Sequence, residues 1–254
     1  MVFARWILPL GLALGLSFSS AAQQTAAGNS ANPAGQKQGQ PPAQTEEEIQ
    51  KKEQSQRMFS VVPMFYVTSR QNAPPLTPRQ KLRLTLRDAL DPFEYVAAGL
   101  QAGLEQAAND FSGYGQGAAG YGKRYGAAFA DEVSSQFFGD FLYPVLLKED
   151  PRYFRSGQGT VKRRIGYALA QEFVCHTDAG GRSFNWSGVL GAVTAGSLSN
   201  AYYPSTDRGF GLTMSRSAIA IGYGSAGAIV QEFWPDIQRR VLHKRPQPDS
   251  APPH

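Results

Sequence analysis

Large apolar side chains recur at helical spacing in several successive stretches of this chain, and this repeat limits its fold more than any other feature. In the first stretch the repeating side chains fall within roughly 80° of one another at 100° per residue. Such a stripe predicts an amphipathic helix that faces a core. Its members are Phe93, Val96, Leu100, Leu104, Ala107 and Phe111. Comparable stripes occur within residues 130–145, 161–173, 189–198 and 219–233.

Two helix starts are marked by capping residues. Thr77 and Gln80 form a T-x-x-Q capping box, with Pro78 at the first helical position. Asp91 precedes Pro92 in the same way and supplies an acidic cap. We therefore expect one helix to begin near residue 78 and the next near residue 92.

The run over residues 59–67 is apolar and β-branched, but Pro63 lacks the amide donor that a central strand needs. It predicts an extended segment, or at most an edge strand. The predicted fold class is all-α: a compact helical bundle of five or six helices with Gly/Ala-rich close packing. The extended segment and a disordered N-terminal tether are expected to precede the bundle.

The first residues predict export. A positively charged start and a short apolar run, which ends near small residues, fit a signal peptide over residues 1–22. Residues 23–57 are poor in large apolar side chains and are predicted to be a disordered linker. The helical domain is expected over residues 58–242, and residues 243–254 are predicted to form a disordered tail.

Composition excludes some classes of function. A single cysteine cannot form an intramolecular disulfide framework. The net charge of +5 is too small to predict a nucleic acid partner without a clustered basic face. It is compatible with attraction to an anionic envelope surface.

Two segments, residues 183–206 and 217–231, contain no charged side chain. Glycine, serine and threonine dilute both, whereas a spanning helix needs about 20 predominantly apolar residues. Buried bundle helices are therefore the main interpretation. An integral membrane helical protein that uses residues 183–231 is kept as an alternative.

His176 is the histidine best placed for chemistry, because the other two lie in the predicted tail. Glu172 precedes it by four residues, so on a helix the two side chains would share a face. Glu172 and His176 are thus candidate metal ligands, and with Asp178 they are candidates for an acid/base cluster. The alternative is a buried polar clamp at a helix end, since E-x-x-x-H lacks the second histidine of the zinc protease motif.

Residues 112–126 are rich in glycine, and backbone amides in such a run can cradle an anion. Lys123 and Arg124 are the candidate anion-binding side chains. No strand clearly precedes the run, and the spacing is not that of a Walker loop. A flexible joint that leads into a closely packed helix is the alternative.

Five short motifs together form a recognisable pattern: Q-G-A-A-G-Y-G-K-R-Y-G, E-D-P-R-Y-F, F-N-W-S-G-V-L-G, N-A-Y-Y-P and E-F-W-P-D-I. Over roughly residues 76–242 the chain resembles an uncharacterised family of secreted bacterial proteins. That family has no known activity. The resemblance implies a periplasmic or outer-envelope location and assigns no catalytic residue.

We therefore expect an exported, non-enzymatic envelope protein that acts through helix packing or through association with a partner protein or membrane surface. One alternative is an enzyme or metal-binding protein centred on Glu172 and His176. The other is the integral membrane protein described above. No cofactor is predicted.

Overall fold

The computed structural model describes residues 45–242. The predicted signal peptide, residues 23–44 of the predicted linker and the predicted tail lie outside the described residues.

Helices make up most of the described chain. They are α1 (Glu46–Glu53), α2 (Pro78–Ala89), α3 (Pro92–Ala108), α4 (Gly117–Gln136), α5 (Tyr143–Leu147), α6 (Val161–Phe173), α7 (Trp186–Leu198) and α8 (Phe210–Leu242). A π-helical turn over Phe137–Leu142 joins α4 to α5. The mostly helical fold is therefore confirmed.

Three small sheets accompany the helices, which corrects the purely α-helical prediction. The strands are β1 (Arg57–Met58), β2 (Val62–Pro63), β3 (Val67–Thr68), β4 (Glu149–Asp150), β5 (Tyr153–Phe154), β6 (Val174–Thr177) and β7 (Arg182–Phe184). β1 pairs with β2, and β3 runs parallel to β5. β6 lies between β4 and β7 in an antiparallel sheet. Such short strands leave no long periodic pattern in the sequence.

Capping residues place the helix starts as predicted. The Thr77 hydroxyl accepts from the Gln80 amide, and the Gln80 side chain accepts from the Thr77 amide at 2.8 Å. The Asp91 carboxylate accepts from the Phe93 amide at 3.0 Å and also pairs with Arg57. Short polar side chains at these positions satisfy amides that have no partner within the helix.

Helix α1 lies inside the segment predicted to be a disordered linker, so the prediction is wrong for residues 46–53. Thr45 and Glu48 form a reciprocal capping box. Arg70 pairs with Glu46 at 2.6 Å and with Glu53 at 3.1 Å. A cap and ion pairs hold this helix in place, and these are interactions that a shortage of large apolar side chains does not reveal.

The glycine-rich run is also helical over most of its length, because α4 begins at Gly117. The prediction of a flexible joint or an anion loop over residues 112–126 is therefore wrong from residue 117 onward. Within this helix Gly122 and Gly126 have open space where a Cβ would lie. Glycine here lowers helix propensity without preventing the helix, since tertiary packing contributes most of a helix's stability.

The interior is built largely from small side chains. Buried alanines occur on every long helix after α2: Ala98, Ala102, Ala127, Ala128, Ala168, Ala195 and Ala228. At one crossing, a Cβ added to Gly191 of α7 would lie 2.5 Å from the Gly139 Cα atom. Helices that meet through such short side chains can bring their backbones into direct contact.

The large apolar stripe of α3 faces outward, which corrects the predicted core face. Val96, Leu100 and Leu104 are 60%, 66% and 72% exposed, whereas Ala98 and Ala102 are buried. The cause is the close approach of α4, whose Tyr121 hydroxyl donates to the Gly99 carbonyl at 3.0 Å. A stripe shows that one face is apolar, but a flatter face of small residues packs closer to a neighbouring helix.

Glu232 of α8 is the centre of a buried hydrogen-bond network that links α8 to α6 and to β5. Its carboxylate accepts from the Arg164 Nε at 2.8 Å, the Tyr153 hydroxyl at 2.9 Å, and the amides of Ser156 and Gly157 at 3.0 and 2.8 Å. Arg164 also pairs with Asp236 at 2.5 Å. These contacts connect the E-F-W-P-D-I motif of α8 to α6 and to the segment after E-D-P-R-Y-F.

Replacing Glu232 with Gln should lower the free energy of unfolding by about 3 kcal/mol, because it leaves the buried Arg164 guanidinium without its main counter-charge. Asp236 still pairs with Arg164, so the loss should lie at the lower end of the range that is typical when a buried ion pair is broken. Urea unfolding followed by circular dichroism measures the change. Glu47→Gln, on the exposed side of α1, is the matched control and should leave the midpoint unchanged. An equal midpoint for Glu232→Gln would contradict the central role of this network.

Candidate functional site

The structure does not assemble the predicted metal site. α6 ends at Phe173, so Glu172 and His176 do not share a helix face, and His176 lies in β6. The His176 ring stacks on Phe154 with 3.8 Å between ring centroids. Asp178 instead pairs with Lys81 at 2.8 Å. The helix that the four-residue spacing presumed stops before it reaches His176.

Glu172 lies against α8 and not against His176. A Cβ on Gly224 would be 2.5 Å from its Oε1 atom, so only glycine leaves room for the carboxylate. Burial raises the pKa of Glu172 to about 7. Within residues 45–242 there is no group of three or more His, Cys, Asp or Glu side chains arranged to hold a metal ion.

Arg124, predicted to bind an anion, is fully buried and serves as a structural clamp. Its guanidinium donates to the carbonyls of Asp110 at 2.6 Å, Gly115 at 2.7 Å and Phe111 at 3.3 Å. These bonds close the turn between α3 and α4, which corrects the anion-binding prediction for this residue. Lys123, its neighbour in sequence, is exposed at the edge of a cleft.

Helix α2 carries an exposed face that the sequence analysis did not identify. Three leucines, Leu82, Leu86 and Leu90, are 36%, 50% and 64% exposed. Beside them stand the exposed arginines Arg79, Arg83 and Arg87. At 100° per residue the six positions cover one continuous face of roughly 140°. We call this set the α2 face.

The opposite side of α2 is fixed to the body of the protein. Leu84 packs with Phe65 and Leu76 in a buried cluster. The fully buried Lys81 ammonium donates to the carbonyls of Glu149 at 2.7 Å and Pro144 at 3.2 Å, in addition to its pair with Asp178. Buried contacts on one side therefore determine which residues α2 presents outward.

Two arginines of the α2 face, Arg79 and Arg83, have no acidic partner among the described residues, whereas the charge of Arg87 acts on the Asp91 carboxylate. Neither Arg79 nor Arg83 forms an ion pair with a described residue, and Arg87 lies over the Phe65 ring at 4.6 Å. A row of arginines beside a row of leucines is typical of helices that lie on anionic membrane surfaces.

Carboxylates stand at the end of α2 and on the helices beside it. Burial, with the nearby charges of Glu132 and Asp91, raises the pKa of Asp88 to about 7. Burial and the same kind of repulsion, from Glu132 and Asp88, raise the pKa of Glu94 to about 8. These two groups hold protons at pH values where exposed carboxyls are charged.

Cys175 has no arrangement for nucleophilic chemistry. Its Sγ lies 3.4 Å from the Ser183 hydroxyl, and burial raises the pKa of the thiol to about 11. The thiol is therefore protonated near neutral pH, where a nucleophile would need to be a thiolate.

None of the helices within residues 45–242 combines the length and the apolarity needed to cross a membrane.

Comparison with known proteins gives no relative from which a function could be transferred. No family model matches the chain, and neither the curated proteins nor the solved structures contain a match. The resemblance to secreted bacterial proteins stays a prediction based on the short motifs.

The α2 face had a signal in the sequence. Leucines at 82, 86 and 90 and arginines at 79, 83 and 87 each recur every four residues. This repeat follows the capping box directly, and on a helix it places the six side chains on one face.

Stability should fall as pH rises from about 4 to about 8. In this range the unfolded chain loses the protons of Asp88 and Glu94, whose ordinary pKa values are about 4, while the folded state keeps them. The stability that these neutral carboxyls contribute is therefore lost as the pH rises through their folded pKa values. Asp88→Asn with Glu94→Gln should reduce this loss by an amount on the order of 3 kcal/mol.

Urea unfolding at pH 5, 6, 7 and 8 measures this dependence. Asp110 is an exposed carboxylate in the turn after α3. Asp110→Asn is therefore the control, and its stability should change with pH as steeply as that of the unchanged protein. A double variant whose stability falls as steeply as that of the unchanged protein would show that these two carboxyls are not the protonated groups.

Proposed function

We propose that this protein is an exported, non-enzymatic envelope protein that associates with an anionic membrane surface through the α2 face. The proposal rests on one observation: exposed leucines and arginines share one side of a helix whose other side is fixed in place. The net charge of +5 supports the same partner. The predicted export signal supplies the envelope location.

Both kinds of side chain contribute to the proposed binding. An arginine near an anionic leaflet contributes about 1 kcal/mol. Moving a half-exposed leucine out of water contributes a comparable amount at about 25 cal/mol per Å². The two terms are similar in size, so neither the leucines nor the arginines alone would hold the protein on the surface.

The geometry supports a helix that lies along the surface. α2 has 12 residues, which at 1.5 Å each makes it about 18 Å long. Leu82, Leu86 and Leu90 follow one another from the fifth residue of α2 to the residue just after its end, and their exposure increases toward the carboxyl end. A helix in the plane of the headgroups would bring all three into contact with the acyl boundary.

Leu100 belongs to a second exposed apolar row, on α3, and two residues separate α3 from α2. This row lacks arginines and carries Glu94 and Glu105 on its helix instead. It therefore supports an apolar contact without a preference for anionic lipid. The charge preference is assigned to α2 alone.

Vesicle co-sedimentation tests the proposal. The purified protein should bind vesicles of phosphatidylcholine and phosphatidylglycerol and should bind pure phosphatidylcholine at least about tenfold more weakly, because the arginines then lack anionic partners. Raising the salt concentration should weaken the binding to anionic vesicles.

Two double variants separate the two contributions, and each has a matched control. Arg79→Gln with Arg83→Gln should reduce binding about tenfold, whereas Lys51→Gln with Lys52→Gln on α1 removes the same charge and should not. Leu82→Gln with Leu86→Gln should weaken binding, whereas Leu146→Gln with Leu147→Gln on α5 should not. Equal binding by all four variants would refute the assignment of this surface.

A further inference from the structure

Strand β7 lies at the edge of a three-stranded sheet, and its outer side is open. β6 is the central strand, with β4 on one side and β7 on the other. Among the described residues no strand pairs with the outer side of β7, and both Arg182 and Phe184 of this strand are exposed. An open edge offers backbone amides and carbonyls to another strand. β7 shares no residue with the α2 face.

The hydrogen bonds between β6 and β7 show how the backbone of β7 is oriented. The Asn185 amide donates to the Phe173 carbonyl, and the Thr177 amide donates to the Gly181 carbonyl, each at 2.9 Å. These two bonds are four residues apart along each strand. In an antiparallel ladder, bonded pairs alternate with pairs whose backbone groups point away from the partner strand. The two bonds therefore determine which backbone groups of β7 face β6.

Arg182 and Phe184 are the residues of β7 whose backbone points outward. Ser183 stands opposite Cys175, midway between the two bonds, so the Ser183 amide and carbonyl face β6. The amides and carbonyls of its two neighbours then point to the open edge. Among the described side chains, only the Cys175 thiol, 3.9 Å from the Phe184 carbonyl, makes a hydrogen-bond contact with these groups.

The open edge matches a second copy of β7 in length. Arg182 and Phe184 supply two amides and two carbonyls, a turn over residues 178–181 precedes them, and α7 begins at Trp186. A longer foreign strand would find no further groups to bond, whereas a second β7 has the same four groups. Antiparallel pairing about a twofold axis at Ser183 places Arg182 opposite Phe184 of the second copy. This register bonds all four outward groups of each edge.

The side chains favour the same register. It brings the Arg182 guanidinium beside the Phe184 ring of the second copy, and a cation beside an aromatic ring is a favourable cross-strand pair. Arg182 forms no ion pair and no side-chain hydrogen bond with a described residue, so its guanidinium is available for this contact. A register shifted by two residues would place Arg182 opposite its own copy. It would also leave half of the outward groups unbonded.

Apolar side chains beside the edge add to the contact. Phe184 is 43% and Trp186 is 53% exposed, and their rings meet edge-on with 4.8 Å between centroids. Val174, which stands opposite Phe184 in the sheet, is 38% exposed. Roughly 100 Å² of each aromatic side chain therefore lies in water. A contact of this size is smaller than the about 800 Å² per partner of a standard interface, so it predicts a weak dimer.

We propose that two copies of this chain associate through their β7 edges and join their three-stranded sheets into one antiparallel sheet of six strands. Each copy places Arg182 beside the Phe184 ring of the other, and the backbone hydrogen bonds fix the register. The pairing uses none of the side chains proposed to contact the membrane, so either proposal can fail without the other.

Sedimentation velocity in the absence of lipid tests the association. Between about 1 and about 200 µM the unchanged protein should shift from monomer to dimer, with a dissociation constant in the micromolar range. Arg182→Pro should stay monomeric, because it lacks the outward amide and its ring blocks the approach of a strand. That amide makes no bond to β6, so the thermal unfolding of the variant should match that of the unchanged protein. Arg182→Ala loses the same charge but keeps the amide, and it should still dimerise.

Two substitutions at one exposed position test the register. Phe184→Lys and Phe184→Glu remove the same ring, but lysine would repel Arg182 of the second copy and glutamate would attract it. The dimer of Phe184→Glu should therefore be about tenfold tighter than that of Phe184→Lys. The proposal is overturned if the unchanged protein stays monomeric over the whole concentration range, if Arg182→Pro dimerises as tightly as Arg182→Ala, or if the lysine and glutamate variants dimerise equally.

Discussion

The buried pairing of Arg164 with Glu232 is the interaction on which the rest of the described fold depends. Glu232 has no exposed surface, and its carboxylate accepts four hydrogen bonds from α6, β5 and the segment after β5. A carboxylate buried in this way is tolerated only when its partners are in place. The network therefore fixes the position of α8 relative to α6, and with it the small-residue interior between the helices.

That interior explains where the large apolar side chains lie. Alanines and glycines let the helices approach closely, and buried charged clamps such as Lys81 and Arg124 occupy places where bulky apolar groups would otherwise pack. Leucines on α2 and α3 are left on the outside as a result. Exposed apolar rows are a common feature of surfaces that contact a partner or a membrane, and the arginines of α2 are the reason for proposing an anionic membrane there.

Helix positions could be predicted from the sequence because capping is local. Thr77 and Asp91 act on amides two or three residues away, and their side chains do in the structure what their spacing predicts. The outward direction of the α3 stripe could not be read in the same way. It depends on α4, whose Tyr121 meets Gly99 from 22 residues away in the sequence.

The candidate sites show the same limit. The pairing of Glu172 with His176 requires a helix that reaches His176, but α6 ends at Phe173. The next residues form β6, which pairs with Glu149 and Asp150, more than 20 residues earlier in the chain. Lys123 and Arg124 were equivalent candidates, but the turn carbonyls that surround Arg124 bury one and leave the other exposed. Neighbouring residues of like charge thus take opposite roles once tertiary contacts form.

The central claim is that leucines on the outer side of α2 enter a lipid environment, and a spin label at position 86 tests it most directly. The label would be attached to Leu86→Cys in a Cys175→Ala background, with Lys162→Cys as the reference site. Anionic vesicles should increase the collision rate of the label at 86 with oxygen, which concentrates in the acyl region, and should not increase it at 162. Equal collision rates at position 86 with and without vesicles, in a sample whose protein sediments with them, would contradict the account.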